Sequence, residues 1–196
     1  IFDLGNVIVP LDFPAGYRAI SGHCGIAPAD LPARISETGL VPKLESGQIE
    51  PGDFIRQFSS ALGLNVSESE FRRLWSSIFP PHTLIPDSFV AALKSRYRLL
   101  LLSNTNAIHF EMIEQNYPIL RHMDEFVLSH QVGAMKPAEK IYRTALDRAA
   151  CEPGECFFTD DIPAYVEGAR AAGLHAEQFT GYDNLLTHLR RFDVPV

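Results

Sequence analysis

Hydrophobic residues follow two rhythms along the chain, and the change falls near Asp87. Beyond it, short unbroken apolar runs alternate with stretches of helical spacing. Arg98-Leu99-Leu100-Leu101-Leu102-Ser103-Asn104 is such a run, as expected of a strand with both faces buried. Residues 125–128 and 156–159 read as strands for the same reason, and residues 174–176 as a weaker one. A helix face through Phe89, Val90 and Leu93 precedes them. Further helices are predicted over residues 107–115, 138–149, 166–172 and 184–192, with Gly173 as a C-terminal stop. Strands alternating with helices predict a parallel sheet covered on both faces.

Before Asp87 the spacing is helical, with no convincing strand after the opening residues. Tyr17-Arg18-Ala19-Ile20 predicts a short helix, and Pro28-Ala29-Asp30-Leu31 the start of another. Glu45-Ser46-Gly47-Gln48-Ile49 reads as a turn. Phe54, Ile55, Phe58 and Leu62 share a helix face. Ser67 and Glu70 have capping-box spacing ahead of Phe71, Leu74, Trp75 and Ile78, and Pro80-Pro81 ends the run. The expected fold class is therefore α/β: a parallel-sheet core over residues 1–12 and 88–196, with an all-helical insertion over 13–87. The tail, residues 193–196, reads as a frayed end.

The opening stretch, Ile1-Phe2-Asp3-Leu4-Gly5-Asn6-Val7-Ile8-Val9, reads as the exit of a buried strand that Pro10 breaks. Gly5 allows a sharp turn without a Cβ penalty. Asp3 then sits at the carboxyl end of a strand, where open α/β sheets bind ligands. The plainer alternative is an aspartate capping the next turn. Because the chain opens inside a strand, native residues are expected before Ile1, and any short targeting signal with them.

Composition narrows the partners. With 46% hydrophobic and 21% charged residues, 196 residues suffice for one α/β core plus a small insertion. The net charge is −7, and Arg72-Arg73 and Arg190-Arg191 are isolated pairs, so a nucleic-acid partner is not expected. No stretch is long and apolar enough to span a membrane. The three cysteines, Cys24, Cys151 and Cys156, have neither CxxC nor metal-ligand spacing and fit reduced structural thiols in a cytoplasm.

Four polar sites lie at or just past the ends of predicted strands: Asp3, Ser103-Asn104, Lys136 and Asp160-Asp161. Parallel strands point one way, so these groups should converge on one sheet edge. Each also has a structural reading: a helix cap for Ser103-Asn104, a solvated loop for Lys136-Pro137, a cap and first-turn acid for Asp160-Asp161. The order and spacing of all four together favour chemistry. Three carboxylates suit a hard cation such as Mg²⁺. A lysine and a hydroxyl suit phosphate oxygens. A central aspartate can attack phosphorus as a nucleophile.

The segments FDLGNVIV, LLLLSNTN, SHQVGAMKPAEKIY and FFTDDIPAYVEGA resemble the four ordered motifs of the haloacid dehalogenase superfamily, across essentially the whole chain. The resemblance extends to its branch of sugar-1-phosphate phosphatases and, more distantly, the N-terminal phosphatase domain of soluble epoxide hydrolase. It implies a Rossmann-like core with a helical cap, and hydrolysis of a small phosphorylated metabolite with Mg²⁺. It further implies that Asp3 is nucleophile and metal ligand, and that Asp161, the Gly5 carbonyl and Asp160, acting through water, complete the metal site. Ser103 and Asn104 would hold the phosphoryl group, and Lys136 would neutralise it and steady Asp3.

One position departs from the common pattern. Most phosphatases of the superfamily carry a second aspartate two residues after the nucleophile as proton donor, and here that residue is Gly5. Two accounts are open: a substrate with an easy leaving group, or another acid, of which Asp12 is nearest in sequence and equally suits a helix cap. Dehalogenases and phosphonatases also lack the second aspartate. The Asp160-Asp161 pair argues against a metal-free dehalogenase, and a phosphonatase needs a cap lysine, for which Lys43 is available. A binding domain that has lost its acid is the remaining alternative. Tyr17, Trp75 and Phe79 are candidates either for lining a pocket or for filling the cap core.

Overall fold

Phe2 is the hub of the sheet. It forms parallel bridges to both Leu101 and Thr159. Its N–H donates to the Leu100 carbonyl at 2.9 Å, and the Asp3 N–H donates to Thr159 at 3.0 Å. The computed structural model describes residues 1–195. Its strands are β1 (Leu100–Ser103), β2 (Glu125–Leu128), β3 (Phe157–Asp160) and β4 (His175–Gln178). β1 pairs with β2 and β3 with β4, all parallel. The order across the sheet is thus β2, β1, the opening segment, β3, β4.

The apolar run of β1 splits between the faces, because side chains alternate along a strand. Leu101 packs in a cluster with Phe2, Val90, Ile113 and Leu185. Leu100 and Leu102 pack on the opposite side with Ile141, Tyr142 and Phe158. One face is accordingly covered by α6 (Asp87–Lys94), α7 (Ala107–Asn116) and α11 (Tyr182–Arg191). The other is covered by α9 (Glu139–Ala149) and α10 (Pro163–Ala171), while the short α8 (Ser129–Val132) follows β2. This is an α/β core of the Rossmann type.

A third hydrophobic cluster belongs to the helical cap. Its helices are α1 (Phe13–Cys24), α2 (Leu31–Thr38), α3 (Leu40–Glu45), α4 (Pro51–Leu62) and α5 (Glu68–Trp75). Phe54, Phe58, Phe71 and Trp75 form its centre, with Phe58 and Trp75 ring centroids 5.0 Å apart. Fully burying each such ring contributes about 1.5–3 kcal/mol. Ile108 of α7 also lies in this cluster, so the core reaches into the cap.

Several local expectations are revised. Val7, Ile8 and Val9 are fully buried but do not extend a strand. The N–H groups of Ile8 and Val9 both donate to the Leu4 carbonyl at 2.9 Å, closing a tight turn. Burial in the core cluster, rather than pairing in the sheet, accounts for this apolar run. The left-handed residue of that turn is Asn6, at φ 54°, and not Gly5. α1 is longer than Tyr17–Ile20 because Asp12 caps it, accepting from the Ala15 N–H at 2.9 Å. Only half of the capping box at α5 forms: Ser67 accepts from the Glu70 N–H, while the Glu70 carboxylate pairs with Arg73. In the tail, the Val194 N–H donates to Leu189 at 3.0 Å and its side chain packs on the core, so that residue is tied down. Val196 lies outside the described residues. Among the described residues, no helix is long and apolar enough to cross a membrane.

Candidate active site

Asp3, Ser103 and Asp160 end neighbouring parallel segments and therefore share one sheet edge, as the strand pattern predicts. Lys136 enters from the loop between α8 and α9, and its ammonium group is buried between two carboxylates. Its Nζ donates to Asp3 Oδ1 at 2.7 Å, to Asp160 Oδ2 at 2.5 Å and to the Leu102 carbonyl at 3.0 Å. The reading of Lys136 as a solvated loop residue is excluded by its 3% exposure.

Burial dominates the electrostatics here. It pushes the Asp3 carboxyl up to about 6; the Lys136 charge opposes that shift and the Asp160 charge adds to it. Burial also pulls on the Lys136 ammonium, but Asp3 and Asp160 outweigh it and hold its pKa above the ordinary lysine range. Burial raises Asp161 as well, opposed by the hydrogen bond from Asn6. The three carboxylates of Asp3, Asp160 and Asp161 bring one oxygen each within 4.8 Å of one another. A single lysine between them leaves excess negative charge, and an all-oxygen donor set of this kind fits a hard divalent cation. The turn at Leu4 also leaves the Gly5 carbonyl without a backbone donor among the described residues.

The remaining predicted residues separate into two roles. Ser103 lines a cavity of about 390 Å³, together with Leu4 and Gly5, the two residues that follow Asp3. The Asn104 side chain is instead committed to the Lys136 loop. Its Oδ1 accepts from the Lys136 N–H at 2.7 Å, and its Nδ2 donates to the Lys136 carbonyl at 3.0 Å. That pair fixes the backbone on which the lysine stands. Asp12, occupied as the cap of α1, does not line the cavity, and Lys43 is exposed and does not line it either. The cavity floor is Leu4, Gly5, Ser103 and Asn104, with Tyr17, Trp75 and Phe79 in its walls. Trp75 both fills the cap core and faces the cavity, so the two readings of that residue are compatible.

Three supporting residues escape the strand-end pattern. Asn6 Nδ2 donates to Asp161 Oδ2 at 3.2 Å, and its Oδ1 accepts from the Leu11 N–H, tying the opening turn to the acidic pair. Ser129 accepts from the Thr105 N–H and donates to the Thr105 carbonyl, both at 2.9 Å, anchoring the loop after β1. Tyr165 receives a hydrogen bond from Asn104 and places its ring 5.1 Å from the Lys136 nitrogen. Asn6 had a local signal, since it adjoins Gly5 in the opening motif. The other two contacts join residues 24 and 61 positions apart and have none.

The family model for haloacid dehalogenase-like hydrolases matches residues 1–173. The chain belongs to this family. Within it, the chain is 28% identical over 185 residues to a D-ribitol-5-phosphate phosphatase of Bacteroides thetaiotaomicron, covering 91% of this chain and 89% of that protein. A haloacid dehalogenase-like hydrolase of Porphyromonas gingivalis superposes with a TM-score of 0.83 at 24% identity, over 100% of this chain and 97% of the other. A haloacid dehalogenase family enzyme of Bacteroides thetaiotaomicron, in complex with magnesium and inorganic phosphate, superposes with a TM-score of 0.78 at 23% identity, over 92% of each chain. These solved structures share the fold: a sheet core and a helical cap.

Proposed function

We propose that this hydrolase cleaves phosphomonoesters of small metabolites, such as sugar phosphates, through an aspartyl-phosphate on Asp3. The observation that carries the reading is the Lys136 ammonium clamped between Asp3 and Asp160, at the sheet edge whose Ser103 and Gly5 line the cavity. The phosphatase relative supports the bond, and the magnesium and phosphate held by the solved relative support the ligands.

Lys136 fixes Asp3 Oδ1 and favours its anionic form, which leaves Oδ2 to attack phosphorus. An Asp3 Oδ2–phosphorus bond forms as the ester P–O bond breaks, the leaving group departs as an oxyanion that solvent protonates, and the Ser103 hydroxyl donates to a phosphoryl oxygen. Water then attacks phosphorus, the Asp3–phosphorus bond breaks, and inorganic phosphate and the Asp3 carboxylate are regenerated. Asp3, Asp161 and the Gly5 carbonyl, with Asp160 acting through water, would hold Mg²⁺, which when bound would neutralise charge between carboxylate and phosphate. Gly5 carries no proton for the leaving oxygen. Anomeric and aryl phosphates should therefore react faster than simple alkyl phosphates.

The cap over residues 13–87 would close on the core, residues 1–12 and 88–196, with Pro10 and Pro80-Pro81 bounding the hinges. Such closure excludes water from the phosphoryl group. The mechanism is tested with Asp3→Asn, nearly isosteric but not nucleophilic. Turnover of p-nitrophenyl phosphate with Mg²⁺ should vanish while the thermal unfolding curve stays near wild type. Full Mg²⁺-dependent activity in that variant would overturn it.

A further inference from the structure

Glu45 ends α3 and lines the cavity whose floor holds Gly5 and Ser103. Among the described residues of that lining it is the one carboxylate. Its neighbours in the cavity wall are largely apolar, Ile20, Val41 and Trp75 among them. Arg34 pairs with Glu37 at 3.5 Å, and Lys43 is exposed. Glu45 takes part in no ion pair or side-chain hydrogen bond among the described residues, and burial alone pushes its carboxyl up to about 7.

A largely desolvated carboxyl without a partner is costly unless something else supplies the hydrogen bond. An ester whose phosphoryl group sits at Ser103 would place its leaving group in this same cavity, toward the cap. We propose that Glu45 is a specificity-determining residue, whose carboxyl takes a hydrogen-bond donor carried by the leaving group. This rests on the phosphatase reading above. The donor is a hydroxyl or an ammonium group, and the carbon skeleton between it and phosphorus lies against the apolar wall. Glu45 acts on the leaving group and leaves bond cleavage to Asp3.

The test uses aryl phosphates, which react without a proton donor. Kinetic constants are measured with Mg²⁺ for 3- and 4-isomers of hydroxymethylphenyl, aminomethylphenyl and ethylphenyl phosphate, the last matching the others in size without a donor. A donor-bearing substrate should have kcat/KM at least about tenfold above its ethyl counterpart, carried by KM. That ratio should collapse towards one in Glu45→Ala. Ratios within each variant cancel any general loss of active protein. In the nearly isosteric Glu45→Gln, a preference for ammonium should be lost and a preference for hydroxyl largely kept, which distinguishes the two donors. A wild-type ratio of one, or a ratio unchanged in both variants, overturns the role of Glu45. Absence of turnover on p-nitrophenyl phosphate as well would instead remove the phosphatase reading, and this inference with it.

Discussion

The backbone carbonyl of His130, on the core, occupies the place where a Cβ on Gly47, in the cap, would project. Gly47 also has a left-handed backbone, at φ 70°. It sits in the turn after α3, two residues beyond Glu45, so this contact brings the cavity's carboxylate side of the cap down on the core. Two separate constraints, steric and conformational, thus require glycine at one point of cap–core contact.

Gly47→Ala should therefore impair closure. The left-handed backbone costs about 1–2 kcal/mol, and the new methyl group pushes the turn away from α8. The expected result is a fall in kcat/KM of about tenfold with a melting temperature lowered by only a few degrees. Steady-state kinetics with calorimetry checks it, and unchanged kcat/KM would show that the contact is incidental.

Gly5→Asp should install the missing acid. Gly5 is not left-handed, and the nearest atoms its added Cβ would meet belong to the Leu11 side chain, with Cδ1 at 3.0 Å. That side chain can shift by the few tenths of an ångström required. Turnover of alkyl phosphates should rise by about 10²-fold, the lower end of what general acids contribute. Rates on p-nitrophenyl phosphate should change little. An intact protein with an unchanged alkyl-to-aryl rate ratio would refute the leaving-group argument.

Lys136→Met removes the cation between two buried carboxylates. Breaking a buried ion pair from one side costs about 3–5 kcal/mol. The variant should lose that much stability to urea in metal-free buffer and recover part of it with Mg²⁺, which replaces the missing positive charge. Equal stability of variant and wild type without metal would contradict the ion-pair geometry.

His109 predicts a pH-dependent term in stability. Its ring stacks on Trp75, with Nε2 donating to the Trp75 carbonyl at 3.0 Å and Nδ1 accepting from Asn106 at 3.1 Å. Burial pushes its pKa from 6.5 down to about 4. The folded state is therefore neutral where the unfolded state binds a proton. Stability from this group is fully present above pH 6.5 and is lost as pH falls towards 4, by about 3 kcal/mol in all. Denaturation curves across that range, compared between wild type and His109→Gln, should show the wild type falling more steeply. Parallel slopes would mean that the imidazole is not desolvated.

The local pattern determined the alternation of strands and helices after Asp87, the helical cap, and the placement of Asp3, Ser103, Lys136 and Asp160 at one sheet edge. Those features depend on residue spacing and strand direction, which a linear pattern carries. It could not separate Val7-Ile8-Val9 as a buried turn from a strand, because both bury the same β-branched side chains. Nor could it reveal that Asn104 holds the Lys136 loop, that Ser129 anchors Thr105, or that Glu45 lines the cavity with no ion-pair or hydrogen-bond partner among the described residues. Hydrogen bonding, desolvation and close approach are set by neighbours distant in sequence, and only the folded chain brings those neighbours together.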